Sequence, residues 1–94
     1  MAFITVRFYS LWRLHTGTGS VTLQADNVDE ALTQLEEKFG SQLLEKLEAD
    51  GIHLDGKIQD HSLILLNGIA LHNLKSTGLK EGDVLHIFPP VAGG

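Results

Sequence analysis

The chain contains no cysteine. That excludes a disulfide framework, a Cys-ligated zinc or iron–sulfur site and a thiol nucleophile. Positive charge is scarce: 7 Lys and Arg stand against 12 Asp and Glu, for a net charge of −5. The basic residues (Arg7, Arg13, Lys38, Lys46, Lys57, Lys75, Lys80) are dispersed along the sequence. Nucleic-acid binding through counterion release needs clustered Lys and Arg, so no nucleic-acid partner is expected. Long apolar runs are also missing. The longest wholly apolar stretch, Leu63–Leu66, falls far short of the ~20 residues that span a bilayer, so no membrane partner is expected. The start, Met1-Ala2-Phe3-Ile4-Thr5-Val6-Arg7, has no basic stretch leading into a cleavable apolar segment, and no signal peptide is expected. These absences point to a cytoplasmic domain.

What is present is enough for one core. The chain has 94 residues, 43% of them apolar, with a mean hydropathy of +0.04. This is the size of a single domain, 1–94. Ile4, Val6 and Phe8 alternate with Thr5 and Arg7 in a half-buried strand. Gly17 and Gly19 suggest that residues 10–20 form a turn. Val21, Leu23 and Ala25 alternate with Thr22 and Gln24 in a second strand, paired with the first as a hairpin. Asn27 with Glu30 three residues on reads as a helix cap. From there Val28, Ala31, Leu32, Leu35 and Phe39 form an apolar stripe. Gly40 is expected to end this helix, and Ser41 to cap a shorter second one carrying Leu43, Leu44 and Leu47. Residues 50–60 read as a polar loop. Leu63–Leu66 reads as a strand whose facing parity is open, because every position is apolar. Asn67-Gly68 is a hairpin signal leading into Ile69-Ala70-Leu71 as the return strand. Val84-Leu85-His86-Ile87-Phe88 forms the last strand, stopped by Pro89-Pro90. The order predicts an α+β fold: a mixed β-sheet packed on one main helix, with a short second helix. The first and last strands are expected to be parallel neighbours at its centre.

The tail, 89–94, is expected to be flexible. Its six residues reach on the order of 20 Å when extended. Gly93 and Gly94 lack Cβ atoms and suit a channel too narrow for side chains. Such a tail delivers the α-carboxylate of Gly94, which is ionised and unreactive at neutral pH. It becomes an acyl donor only after a partner converts it to a better leaving group, so the tail predicts a carrier that depends on another enzyme. The bland alternative is a frayed terminus.

Residues Leu79-Lys80-Glu81-Gly82-Asp83-Val84-Leu85-His86-Ile87-Phe88-Pro89-Pro90-Val91-Ala92-Gly93-Gly94 resemble the C-terminus of the small subunit of molybdopterin synthase, a sulfur carrier of the β-grasp, ubiquitin-like fold. Val6-Arg7-Phe8-Tyr9-Ser10-Leu11-Trp12-Arg13 is similar to that family's first strand and following turn, and Asn67-Gly68 to its hairpin. The resemblance implies a β-grasp domain with no active site of its own. A ubiquitin-activating-like adenylyltransferase would use Mg-ATP to adenylate Gly94, and a persulfide donor enzyme would supply the sulfur of a thiocarboxylate. No cofactor would be bound by the chain itself. The molybdopterin synthase large subunit, or an analogous acceptor, would take the tail. Carried over by position, Gly94 holds the sulfur, Gly93 threads the channel, and Val91 and Ala92 line the tail's path behind Pro90. Phe88 and Pro89 sit at the docking surface. Carriers on the same fold also serve thiamin, cysteine, tungsten-cofactor and tRNA-thiolation pathways, and others conjugate to proteins. A plain β-grasp interaction domain with inert terminal glycines is the remaining alternative.

Five histidines (His15, His53, His61, His72, His86) show no metal-ligand spacing, and no metal site is expected. His86 lies between Leu85 and Ile87. If those two face the helix, His86 and Phe88 face outward beside the tail, where His86 is either a partner contact or a plain exposed position. No Gly-rich phosphate loop follows a strand, so the chain is not expected to bind ATP.

Overall fold

The computed structural model describes residues 2–52 and 57–89. Strand β1 spans Ala2–Phe8, β2 Ser20–Ala25, β3 Leu63–Leu66, β4 Ile69–Ala70 and β5 Val84–Phe88. They form one sheet in the order β2-β1-β5-β3-β4. β1 and β5 are parallel and central, with Val6 opposite Leu85 and Phe8 opposite Ile87. The other pairings are antiparallel.

Period-two patterning sets the core. Ile4, Val6, Phe8, Leu23, Ala25, Leu85 and Ile87 are buried on one face of the sheet. The register resolves the parity left open for Leu63–Leu66: Ile64 pairs with Ile87 and is buried with Leu66, while Leu63 and Leu65 share the opposite face with Phe88 and His86.

Helix α2, Val28–Leu35, closes that core with Val28, Ala31, Leu32 and Leu35. Its start follows the expected cap: Glu30 N–H donates to Asn27 Oδ1 at 2.8 Å. The reciprocal arm of the box differs, since Glu30 Oε1 accepts from Asp26 N–H, at 3.5 Å, rather than from Asn27.

The helix does not end at Gly40. Residues Glu36–Gly40 form a wide π-turn, and Gly40 is right-handed with φ −53° and ψ −54°. Helix α3, Ser41–Ala49, continues from it with no side-chain cap. The reason is core alignment. Leu35, Phe39, Leu43 and Leu47 are spaced by four, and each such step drifts by about 40° around an ideal α-helix. The wider turn takes back part of that drift, so Leu43 and Leu47 are buried and Phe39 packs edge-on against Phe8, ring centroids 5.3 Å apart. The atoms that a Cβ at Gly40 would meet are the movable end of the Glu36 side chain, with Cδ at 3.0 Å, and the right-handed backbone shows that this glycine is not a helix stop.

Residues 10–20 are not simply a turn. They contain a short helix, here numbered α1, at Ser10–Thr16. Seven residues are too few to hold a helix alone. Trp12, fully buried, supplies the anchor, and its Nε1 donates to Ser62 Oγ at 2.9 Å. Gly17, at φ 76°, terminates α1 in the left-handed region and donates its N–H to Arg13 O. Gln42 Nε2 and Lys46 Nζ both donate to His15 O, tying α3 to the end of α1. The return strand is also shorter than expected: Ile69–Ala70 pair with β3, and Leu71 enters a 3-10 turn, Leu71–Asn73. Part of the polar 50–60 stretch forms another such turn, Ile58–His61.

Candidate functional site

The site is built on the sheet face opposite the helices, at the end where β5 delivers the chain to Pro89. Leu85 and Ile87 point into the core, which forces Val84, His86 and Phe88 onto this face. The same parity places Thr5, Arg7 and Tyr9 beside them, because Ile4, Val6 and Phe8 are buried. Leu63, opposite Phe88, is 52% exposed.

Tyr9 organises the cluster. Its backbone N–H still pairs with Ile87 O at 3.1 Å, one residue past the end of β1. Ser10 then takes φ 51°, a left-handed turn that starts α1, at a cost of roughly 1–2 kcal/mol for an L-residue. The turn holds Tyr9 on the outer face while α1 crosses behind the sheet. The Tyr9 ring stacks on Phe88 with centroids 4.4 Å apart and planes inclined by 12°. Tyr9 Oη and His86 Nδ1 are hydrogen-bonded at 2.7 Å. Three side chains from two parallel strands thus form one ordered, half-buried surface.

The outward placement expected for His86 and Phe88 is found, and Pro89 is half-buried directly beyond them. Pro90, Val91, Ala92, Gly93 and Gly94 lie outside the described residues, as does His53. Sequence reading did not bring Tyr9, Arg7 or Arg13 to this site. The signal existed for the first two, since alternation with buried Val6 and Phe8 sends them to the outer face. For Arg13 there is none, because the 7 residues of α1 give too little periodicity to place its side chain.

The sheet edge beside this face is partly occupied. Along the outer strand β2, Ser20 O accepts from Thr18 Oγ1 at 3.0 Å and Gln24 O from Gln34 Nε2 at 2.7 Å. Strand addition there would have to displace both. The apolar void between sheet and helices, beside Trp12 and Phe39, measures about 20 Å³, room for no more than one water. Among the described residues, no group of three metal-ligating side chains occurs, and no helix is long and apolar enough to cross a membrane.

Comparison with known proteins agrees with this architecture. The profile of the ThiS family matches residues 12–94. Small archaeal modifier protein 3 of Haloferax volcanii is 30% identical, with 97% of this chain and 98% of that protein covered. Small archaeal modifier protein 1 of Methanosarcina acetivorans, whose solution structure is known, superposes with a TM-score of 0.71 at 26% identity, covering 100% of this chain and 98% of that one. A chain in the complex of subunits 1 and 2 of the molybdopterin-converting factor of Helicobacter pylori is 29% identical, with a TM-score of 0.62 and coverage of 98% and 99%.

Proposed function

This chain belongs to the ThiS family of ubiquitin-like, β-grasp sulfur carriers and modifiers, and from that premise we propose that it carries sulfur on its own C-terminus for assembly of molybdopterin, in the cytoplasm. One observation carries the reading: central strand β5 runs out past the Tyr9–His86–Phe88 surface at Pro89, immediately ahead of Pro90-Val91-Ala92-Gly93-Gly94. A partner seated on that surface is positioned to receive whatever follows.

The chemistry assigned to the tail is acyl activation. A ubiquitin-activating-like adenylyltransferase uses Mg-ATP to join AMP to the Gly94 carboxylate, with pyrophosphate leaving. The terminal sulfur of a donor persulfide then displaces AMP to give an acyl disulfide, and a second thiol of the donor system cleaves the S–S bond, becoming oxidised to a disulfide and releasing the Gly94 thiocarboxylate. Gly93 threads the partner's channel, with Val91 and Ala92 along its walls. Phe88, Pro89 and His86 form the docking face for the large subunit that accepts the sulfur. The Helicobacter pylori relative comes from a complex of subunits 1 and 2 of its molybdopterin-converting factor, which supports a partner subunit for this chain.

The test is intact-mass measurement after incubation with the cognate activating enzyme, ATP and a sulfur source. The expected mass gain equals the replacement of one oxygen by sulfur, and it disappears on deletion of Gly94 while the melting temperature stays unchanged. No gain with any cognate activating enzyme overturns the proposal.

A second reading is favoured by the 30% identity to a small archaeal modifier protein over nearly the whole chain. The same activated Gly94 would then end in an isopeptide bond to lysine. High-mass adducts carrying a Gly-Gly remnant, formed under activating conditions, distinguish it from sulfur transfer.

A further inference from the structure

Beside Tyr9, between the outer face of β1 and the start of α1, lies a groove of about 350 Å³ whose lining includes Arg7, Tyr9, Arg13, Gly19 and Val84. It holds both arginines of the chain. Arg7 is exposed on β1, opposite His86 across the parallel pairing. Arg13 reaches the groove from α1 and lies against Gly19, where a Cβ would stand 3.4 Å from its Nε. Glycine at that position leaves a bed for the guanidinium. Among the described residues, neither guanidinium is engaged in an ion pair, and no acidic side chain lines the groove.

Most of the acidic side chains lie elsewhere, with Lys38 and Lys46 among them. Asp29, Glu30, Glu36 and Glu37 follow α2 and the π-turn, and Glu45 and Glu48 lie on α3. At the far end of the sheet the acidic groups serve local structure. Glu81 Oε1 accepts from Phe3 N–H, and Asp83 accepts from Asn67 Nδ2 and Lys80 N–H. On a chain of net charge −5, the described residues thus include a doubly cationic groove whose guanidiniums make no ion pair among them, continuous with the Tyr9–Phe88 surface.

We propose that this groove binds an acidic segment of the protein partner, one carrying Asp or Glu interleaved with apolar residues, with the carboxylates on Arg7 and Arg13 and the apolar side chains on Tyr9, Phe88 and Leu63. The inference rests on the carrier reading for its biological setting only. Guanidinium forks match carboxylates bidentately, and the adjoining aromatic surface favours a polypeptide over a free anion. The carboxylates along α2, the π-turn and α3 disfavour such a segment on that side of the molecule, so the two arginines set the docking orientation as well as affinity.

The test needs no activation of Gly94, so it is decided separately from the carrier reading. The full chain, labelled with 15N, is titrated with a blocked peptide of alternating Glu and Leu residues, followed through backbone amides and arginine Nε–Hε signals. The expected result is saturable shifts at Arg7, Arg13, Tyr9, Gly19 and Val84. Affinity is expected to fall about tenfold or more in the Arg7→Gln/Arg13→Gln variant, whose remaining amide spectrum stays native. Raising KCl from about 50 to 300 mM weakens binding, and a matched peptide with Gln for Glu does not bind. Absence of saturable shifts, binding that survives in the double variant, or equal shifts with inorganic phosphate at matched ionic strength overturns the proposal. The last outcome would make the groove a general anion site.

Discussion

The ring of Tyr9 lies flat on the ring of Phe88, 4.4 Å between centroids, although 79 positions separate them in sequence. The contact joins the end of the first strand to the end of the last. It is possible only because β1 and β5 run parallel side by side. The same tyrosine hydroxyl holds His86, so one residue orders both outward side chains of β5 nearest Pro89.

Removing the two contacts of Tyr9 separately gives graded losses. Tyr9→Phe keeps the stack and loses the hydrogen bond to His86, at a cost of about 0.5–1.5 kcal/mol. Tyr9→Ala also loses the aromatic pair, a further ~0.5–1.5 kcal/mol. Thermal melts separate the two variants by a few degrees, and the His86 ring resonances move in both. Identical melting of the two variants would remove the stack from the account.

Phe88→Asp tests the docking face. Phe88 is half-buried and contacts Tyr9 rather than the core, so the stability loss is about 1 kcal/mol, roughly 4–8 °C in a domain of this size. Association with the protein that receives the tail weakens about tenfold or more, as for an aromatic anchor at the centre of an interface. Undiminished affinity, or collapse of the fold, would place the interface elsewhere.

Trp12 is the chain's only tryptophan and is fully buried. Native emission is therefore blue-shifted and moves red on unfolding in urea, which provides a direct stability assay. Trp12→Ala costs about 3–5 kcal/mol through the cavity left behind and leaves Ser62 Oγ without its indole donor. That is a large part of the 5–15 kcal/mol typical of a whole domain. Native emission matching free tryptophan in water would contradict the buried position.

Asn27 caps α2 through Glu30 N–H. Asn27→Ala lowers stability by about 1 kcal/mol, whereas Asn27→Ser, a comparable cap, stays within a few tenths. Chemical denaturation at constant m-value measures both. Equal losses would show that the side-chain oxygen does not matter.

Much of the fold was legible along the chain. Alternation in Ile4-Val6-Phe8 and Leu85-Ile87 specifies which faces are buried, the Asn27 cap begins the main helix, and Asn67-Gly68 closes a hairpin with φ 50° and 90°. These are local signals, each carried by a few adjacent residues. The helix at Ser10–Thr16 was not legible, since seven residues give too little periodicity and its stability comes from the burial of Trp12 against distant Ser62. Gly40 misleads for a related reason. A glycine after an apolar stripe signals a helix end, but here Gly40 keeps right-handed φ and ψ and the helix runs on through the π-turn into α3.

The sequence by itself determined the α+β class, the placement of His86 and Phe88 on one shared face of their strand, and the terminal Pro-Pro-Val-Ala-Gly-Gly, because strand alternation and tail composition are properties of neighbours in the chain. Only the tertiary structure decided that Tyr9, Phe88 and His86 form one surface and that Arg7 and Arg13 share one groove. Those groupings depend on the parallel β1–β5 pairing and on the turn at Ser10, and side chains from different elements meet only once packing has brought them together.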